Sequence, residues 1–269
     1  MSSTAEMVRL LDVDADLGEL LSDARREQAA RELVVGIRRL PVGAWDVSGL
    51  VGATRDYVGL LLVHGVLLRE LVLGGQVSVE LIGPGDLVRP WQPSGRGSLL
   101  PVDVVWWVLS PLTLAVLDGR FAAAAARYPE VIATLFDRLN EHSLRLATSQ
   151  AISQLTRVDR RITALFWHLA DRWGRVSGDG VIVSLALTHR ILGQLVGARR
   201  PTVSSALSDL AERGELVRRP DGSWLLPGDP PDAQALPRRP GADTQQRPRD
   251  LLRPARRFSR EPAEVDRVG

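Results

Sequence analysis

The chain has 269 residues, enough for one or two domains, and its 45% hydrophobic and 25% charged residues are the balance of an ordinary folded protein. No apolar run approaches the roughly 20 residues a bilayer-spanning helix needs, and the start lacks a secretory leader pattern, so a cytoplasmic protein without membrane contact is expected. It has no cysteine, which excludes thiolate-held iron-sulfur clusters, thiol nucleophiles and disulfides.

There is also no lysine, so all 34 cationic side chains are arginine, yet the net charge is only +2. Clustering, not total charge, must therefore reveal any polyanionic partner. The four histidines, His64, His142, His168 and His189, lack metal-ligand spacing and are expected to pack or to hydrogen-bond at the surface. No cofactor is expected.

Residues 1–46 read as an N-terminal helical segment. Leu17, Leu20, Leu21 and Ala24, then Ala29, Ala30, Leu33 and Val34, repeat at helical spacing, with Asp16 as an N-cap. Residues 47–118 change character. Short apolar runs at Val58–Val63, Val66–Leu73, Gln76–Ile82, Val102–Leu109 and Leu112–Leu117 are broken by glycine and proline, which is strand chemistry. Gly74-Gly75 separates two runs as a hairpin turn would, and Val77, Val79 and Leu81 alternate with Ser78 and Glu80. A small antiparallel barrel or sandwich follows.

Residues 119–157 read as a long helix interrupted by Pro129. Within it Ile132, Leu135, Leu139, His142, Leu146, Ser149, Ser153 and Thr156 alternate in spacings of three and four, the seam of a coiled coil. Self-association through that seam is expected; a helix packed on its own domain would also show the first half. A further helix carries Ile162, Leu165, Phe166, Leu169 and Trp173 on one stripe.

Residues 158–228 hold the informative stretch, LTHRILGQLVGARRPTVSSALSDLAERGELV, from Leu187 to Val217. Thr188 can cap a short helix burying Ile191, Leu192, Leu195 and Val196, and Gly197 can end it in the left-handed conformation. Pro201 suits the first turn of a second helix, which buries Val203, Ala206, Leu207 and Leu210 and stops at Gly214. Gly193, without a side chain, lets the two helices approach closely. A helix-turn-helix results, and the outward face of its second helix presents Arg199, Arg200, Thr202, Ser204, Ser205 and Ser208. Arg218, Arg219 and an Asp221-Gly222 turn then predict a two-stranded wing. Residues 229–269, with seven prolines, nine arginines and seven acidic residues, read as a disordered tail.

The pattern from Thr188 to Leu207, preceded by VDRRITALFWHLADRWGRV, resembles the helix-turn-helix and its connection in the cyclic AMP receptor protein and Fnr family of bacterial regulators. The resemblance implies an α+β fold: an N-terminal antiparallel β-roll like a cyclic-nucleotide-binding domain, a long central dimerisation helix and a C-terminal winged helix-turn-helix. It implies a homodimer on double-stranded DNA, RNA polymerase as a further partner and a small-molecule effector. Arg200 matches the family's recognition arginine, which reads guanine in the major groove. Thr188, His189, Thr202 and Ser204 are placed on phosphate or sugar, and Arg218 on the wing. Pro201 stands where the best-known members have glutamate, and Ser205 replaces a second arginine, so the operator differs.

The family's nucleotide pocket is a Gly-Glu-Leu turn followed about ten residues later by an Arg-Ser or Arg-Thr pair. Here Gly85-Asp86-Leu87 stands for the turn, and Arg96-Gly97-Ser98 is a misspaced remnant of the pair. A roll that has lost cyclic nucleotide is expected; a cyclic-nucleotide-responsive regulator and a sensor with a vestigial helix-turn-helix remain as alternatives. Haem held by His64 and a cupin-like metal enzyme using His64 and Glu80 are the weaker readings.

Overall fold

Gly74 and Gly75 both take left-handed backbone, φ 56° and 77°, and the flanking strands pair from Leu67 opposite Ile82 to Leu73 opposite Gln76. The hairpin written into the sequence is therefore made by the residues expected to make it. The computed structural model describes residues 6–50, 56–91 and 100–228. The tail from Asp229, and Arg96 and Ser98 of the expected ligand turn, lie outside the described residues.

The chain begins with strand β1 (Glu6–Arg9), helix α1 (Leu10–Val13), a 3-10 turn and helix α2 (Asp23–Glu32). Seven strands of the roll come next: β2 (Val34–Leu40), β3 (Gly43–Ala44), β4 (Gly59–His64), β5 (Leu67–Leu73), β6 (Gln76–Ile82), β7 (Leu87–Val88) and β8 (Asp103–Val108); β9 (Leu112–Leu117) closes it. One antiparallel sheet runs β1-β2-β9-β4-β7 and the other β3-β8-β5-β6. Between them lie Leu60, Leu62, Leu112 and Leu114 of the first sheet and Leu67, Ile82, Trp106 and Val108 of the second.

Residues 6–46 are only in part the helical segment expected: α2 is present, but strands flank it. Val35 and Ile37 enter the core at a period of two, and β2 is hydrogen-bonded between β1 and β9, so this stretch is part of the roll. Asp16 does not cap a helix; it lies in the 3-10 turn, and Ser22 precedes α2.

Asp118 accepts hydrogen bonds from the backbone of Arg120 and Phe121, both 3.0 Å, and starts α3 (Gly119–Ala125). Pro129 then opens the 25-residue helix α4 (Pro129–Ser153), and four residues link it to α5 (Val158–Trp173). A third sheet, β10 (Gly174–Ser177), β11 (Gly180–Val183), β13 (Trp224–Leu226) and β12 (Val217–Arg218) in spatial order, supports α6 (His189–Val196) and α7 (Arg200–Glu212). The wing is thus half of a four-stranded sheet. Trp224 is buried against Phe166, ring centroids 4.8 Å apart.

A third apolar cluster joins the outer face of the roll to the helix-turn-helix. Val66, Leu68, Val79 and Leu81 pack in one group with Ile162, Leu165, Leu169, Leu192 and Val196. Among the described residues no helix is long and apolar enough to cross a membrane.

Candidate nucleic-acid interface

Thr188 caps α6 as its sequence demands, its hydroxyl accepting from the backbone of Ile191 at 3.2 Å. Gly197 ends the helix at φ 63°, a conformation in which a side chain would be strained. A Cβ on Gly193 would sit 2.6 Å from the carbonyl oxygen of Ala198, so only glycine lets the turn close over α6. Val203, Ala206, Leu207 and Leu210 are buried beneath α7, and Gly214 turns the chain away at φ 67°.

The opposite face of α7 is open. Arg199, Arg200, Thr202, Ser205 and Ser208 are exposed, as are Thr188 on α6 and Arg218 on the wing. Among the described residues no carboxylate pairs with Arg199, Arg200 or Arg218; Arg218 instead lies 5.6 Å from the centre of the Trp224 ring. Three guanidinium groups therefore remain available to an external anion. Ser205 and Ser208 donate their hydroxyls to the carbonyls four residues back, at 3.3 and 3.2 Å. Their oxygens face outward as acceptors, suited to exocyclic amino groups on base edges.

His189 and Ser204 are used differently from the remaining expected contacts. Ser204 donates to Arg200 O at 3.1 Å, and His189 Nδ1 lies 2.9 Å from the same hydroxyl. With the hydroxyl proton committed to Arg200, His189 must present Nδ1–H, an assignment made from the hydrogen-bond network. The pair ties α6 to α7 beside Arg200, a contact that the sequence reading did not include.

Residues 160–226 match the family model of the Crp-like helix-turn-helix domain. The chain is 35% identical over 101 residues to a CRP-like cAMP-activated global transcriptional regulator of Mycobacterium tuberculosis, covering 38% of this chain and 44% of that protein. It is 28% identical over 153 residues to the regulatory protein CysR of Synechococcus elongatus, covering 54% and 64%. The chain thus carries a Crp-like helix-turn-helix domain. It spans less than two thirds of the length of either curated relative. Two solved structures share its fold at low identity: a cyclic nucleotide-binding domain containing protein from Listeria monocytogenes, 15% identical with a TM-score of 0.60 over 79% of this chain and 96% of that one, and a CooA mutant from Carboxydothermus hydrogenoformans, 16% identical with a TM-score of 0.57 over 81% and 91%.

The turn expected to meet a ligand borders an open cavity of about 450 Å³ lined by Gly85, Asp86, Arg138, Arg145 and Arg172, and its carboxylate is bonded from within the chain. Asp86 is buried, its side chain 1% exposed, on the turn between β6 and β7. Its Oδ1 accepts from Arg145 of α4 at 2.5 Å and lies 3.5 Å from His142 Nδ1; its Oδ2 accepts from Arg172 of α5 at 2.6 Å and from the Gly83 backbone at 2.9 Å. Burial alone would raise the pKa of this carboxyl, but the hydrogen bonds from His142 and Arg172 outweigh it and hold the value at about 2. His142 is bonded to Asp86 and, at 2.8 Å, to Glu80, and its pKa is raised to about 9. Glu80 also pairs with Arg69, which lies 5.7 Å from the centre of the Trp106 ring. Gly85 shapes the turn at φ 87°, and Leu87 is half-buried against Gly59.

The expected dimer seam divides. Leu135 is buried and Ile132 half-buried against the N-terminal helices, and His142 faces the acids of the roll, so these three are committed to their own chain. Ser149 is half-buried in the crevice between α4 and α5. Leu139 and Leu146 are exposed, as are Phe136 and Leu144 of the same helix, each of the latter 67% exposed. Glu80 is taken by His142 and Arg69, and His64 is exposed at the end of β4. Among the described residues no three His, Asp or Glu side chains converge as a metal would require.

Proposed function

We propose that this chain is a homodimeric, sequence-specific DNA-binding transcription regulator of the cytoplasm. Its helix α7 enters the major groove, and its roll works without cyclic nucleotide. The observation that carries the reading is the exposed, unpaired Arg200 at the first turn of α7, flanked by Arg199 and three outward hydroxyl side chains. Arginine there can present its paired donors to guanine O6 and N7, while Thr188, Thr202 and Arg218 contact the backbone and fix register. His189 and Ser204 hold the angle of the reading helix. The exposed apolar side chains Phe136, Leu139 and Leu146 of α4 supply the surface for a second copy, the last two being the part of the expected seam that stays open.

Loss of cyclic nucleotide is supported by Asp86. Three of its acceptor positions take hydrogen bonds from the chain's own Arg145, Arg172 and Gly83 backbone, and His142 lies 3.5 Å away, so a ligand hydroxyl meets internal competitors there. The name of the mycobacterial relative assigns cAMP activation to that protein. Isothermal titration decides the point here: micromolar binding of cyclic AMP or cyclic GMP would overturn it.

The DNA reading is tested by sequencing fragments selected by the purified chain, then measuring affinity for the selected duplex as wild type and as Arg200→Ala. The substitution is expected to cost about 1–3 kcal/mol and to relax preference at one base of each half-site. Equal loss on every sequence would make Arg200 a phosphate contact. No duplex binding even at low salt would sink the reading. Sedimentation of the same sample is expected to give a dimer.

A further inference from the structure

We propose that Asp86 is an internal latch: its carboxylate holds the DNA-binding domain on the roll by binding two arginines of the chain itself, Arg145 of α4 and Arg172 of α5. The sensor turn thereby holds two guanidinium groups of its own chain beside an open cavity. The latch is carried by the side-chain geometry and stands apart from the DNA reading; only its regulatory consequence rests on that reading.

An ionised carboxylate offers about four acceptor positions. At Asp86 they go to Arg145, His142, Gly83 and Arg172, one from the turn, two from the central helix and one from the DNA-binding domain. Arg172 takes a second hold on the same turn, donating to Pro84 O at 2.5 Å. A guanidinium with two fixed bonds to one turn determines orientation as well as proximity.

Shape supports charge at this point. A Cβ on Gly83 would stand 2.8 Å from the Trp173 ring, so the end of α5 fits a turn that only glycine keeps open. Arg172 in turn lies 5.0 Å from the centre of that ring. Behind them the apolar contact of Val79 and Leu81 with Leu165 and Leu169 continues the same interface. The covalent link across it is only the four residues between Ser153 and Val158. The angle between α4 and the domain carrying α7 is therefore set by this interface, with Asp86 at its charged rim.

The arrangement makes ligand and domain competitors. A polar ligand whose hydroxyl donated to Asp86 would compete with its arginines, and by reciprocity a docked domain weakens that ligand as much as the ligand weakens docking.

The test is hydrogen exchange on the full chain carrying Arg172→Gln, which removes the arm from the DNA-binding domain and leaves Arg145 on Asp86. Amides of β6 and α5 are expected to exchange at least ten-fold faster, with β2 and β9 unchanged. Affinity for a random-sequence duplex at low salt is expected to stay the same, since Arg172 is on α5 and not on the face of α7. Unchanged exchange in β6 and α5 would overturn the latch. So would loss of protection in α6 and α7 together with loss of duplex binding, because Arg172 would then support the helix-turn-helix fold itself. If the wild type binds no duplex, the DNA reading fails while the exchange result still decides the latch.

Discussion

Two groups of arginines in this lysine-free chain have opposite surroundings. Arg145 and Arg172 meet a nearly inaccessible carboxylate, and Arg138 forms a paired bond to Asp14 at 2.5 and 2.7 Å. Arg199 and Arg200 face solvent without an acidic partner among the described residues. The first group fastens parts of the fold together; the second is left to meet an external anion. A net charge of +2 hides this division, because it sums 34 arginines against 32 acidic residues without regard to where they lie.

The strongest way to break the comparison is Asp86→Ala. It leaves Arg145, Arg172 and His142 without their shared carboxylate, and removing one partner of a buried ion cluster costs about 3–5 kcal/mol. Urea unfolding is expected to lose that much. A loss below about 1 kcal/mol would mean that water replaces Asp86 freely and that its arginines are no more committed than Arg200.

These two regions also differ in how far they could be read from sequence. The helix-turn-helix is built of local signals, a threonine cap, glycines at a helix crossing and two helix ends, and a proline in a first turn. Each acts within a few residues of itself, and Thr188, Gly193, Gly197, Pro201 and Gly214 all sit where that logic puts them. The hairpin at Gly74-Gly75 was legible for the same reason. The Asp86 cluster was not. Arg145 is 59 positions away and Arg172 is 86, and a pairing over such distances leaves no mark on either neighbourhood. His142 fell on a heptad spacing and was assigned to the seam, although its partners are acids of the roll. The misreading of Val34–Leu40 has a related cause: apolar residues continuing from α2 kept a helical appearance, while the neighbours that make them a strand, β1 and β9, come from distant segments.

Gly193→Ala probes the recognition region without touching the cluster. The new methyl meets the Ala198 carbonyl, a backbone atom that can retreat only by opening the turn before α7. Overpacking of this kind costs about 1–3 kcal/mol, offset in part by the better helix propensity of alanine. Affinity for a selected duplex is expected to fall about ten-fold, with little change in the exchange of β6. Unaltered DNA binding would show that the close approach of α6 and α7 is not needed to aim Arg200.

The smallest effect separates the regions by pH. His142 faces Glu80 of β6, Asp86 of the turn and the neighbouring Arg145 and Arg172, with Arg69 behind Glu80. Its folded pKa of about 9 lies above the unfolded value near 6.5, so the charged imidazole adds stability that is fully present below about pH 6.5. That contribution drains away as pH rises through 9. Asp86, held at about 2, stays ionised throughout this window, and burial lowers the pKa of His168, so it is neutral there. Arginines do not titrate in the range, so the exposed Arg199 and Arg200 keep their charge. Unfolding midpoints of the wild type are therefore expected to decline from pH 6.5 to 9 and those of His142→Gln to decline less. Parallel curves would place the titrating group elsewhere and reduce the cluster to its arginine pairs.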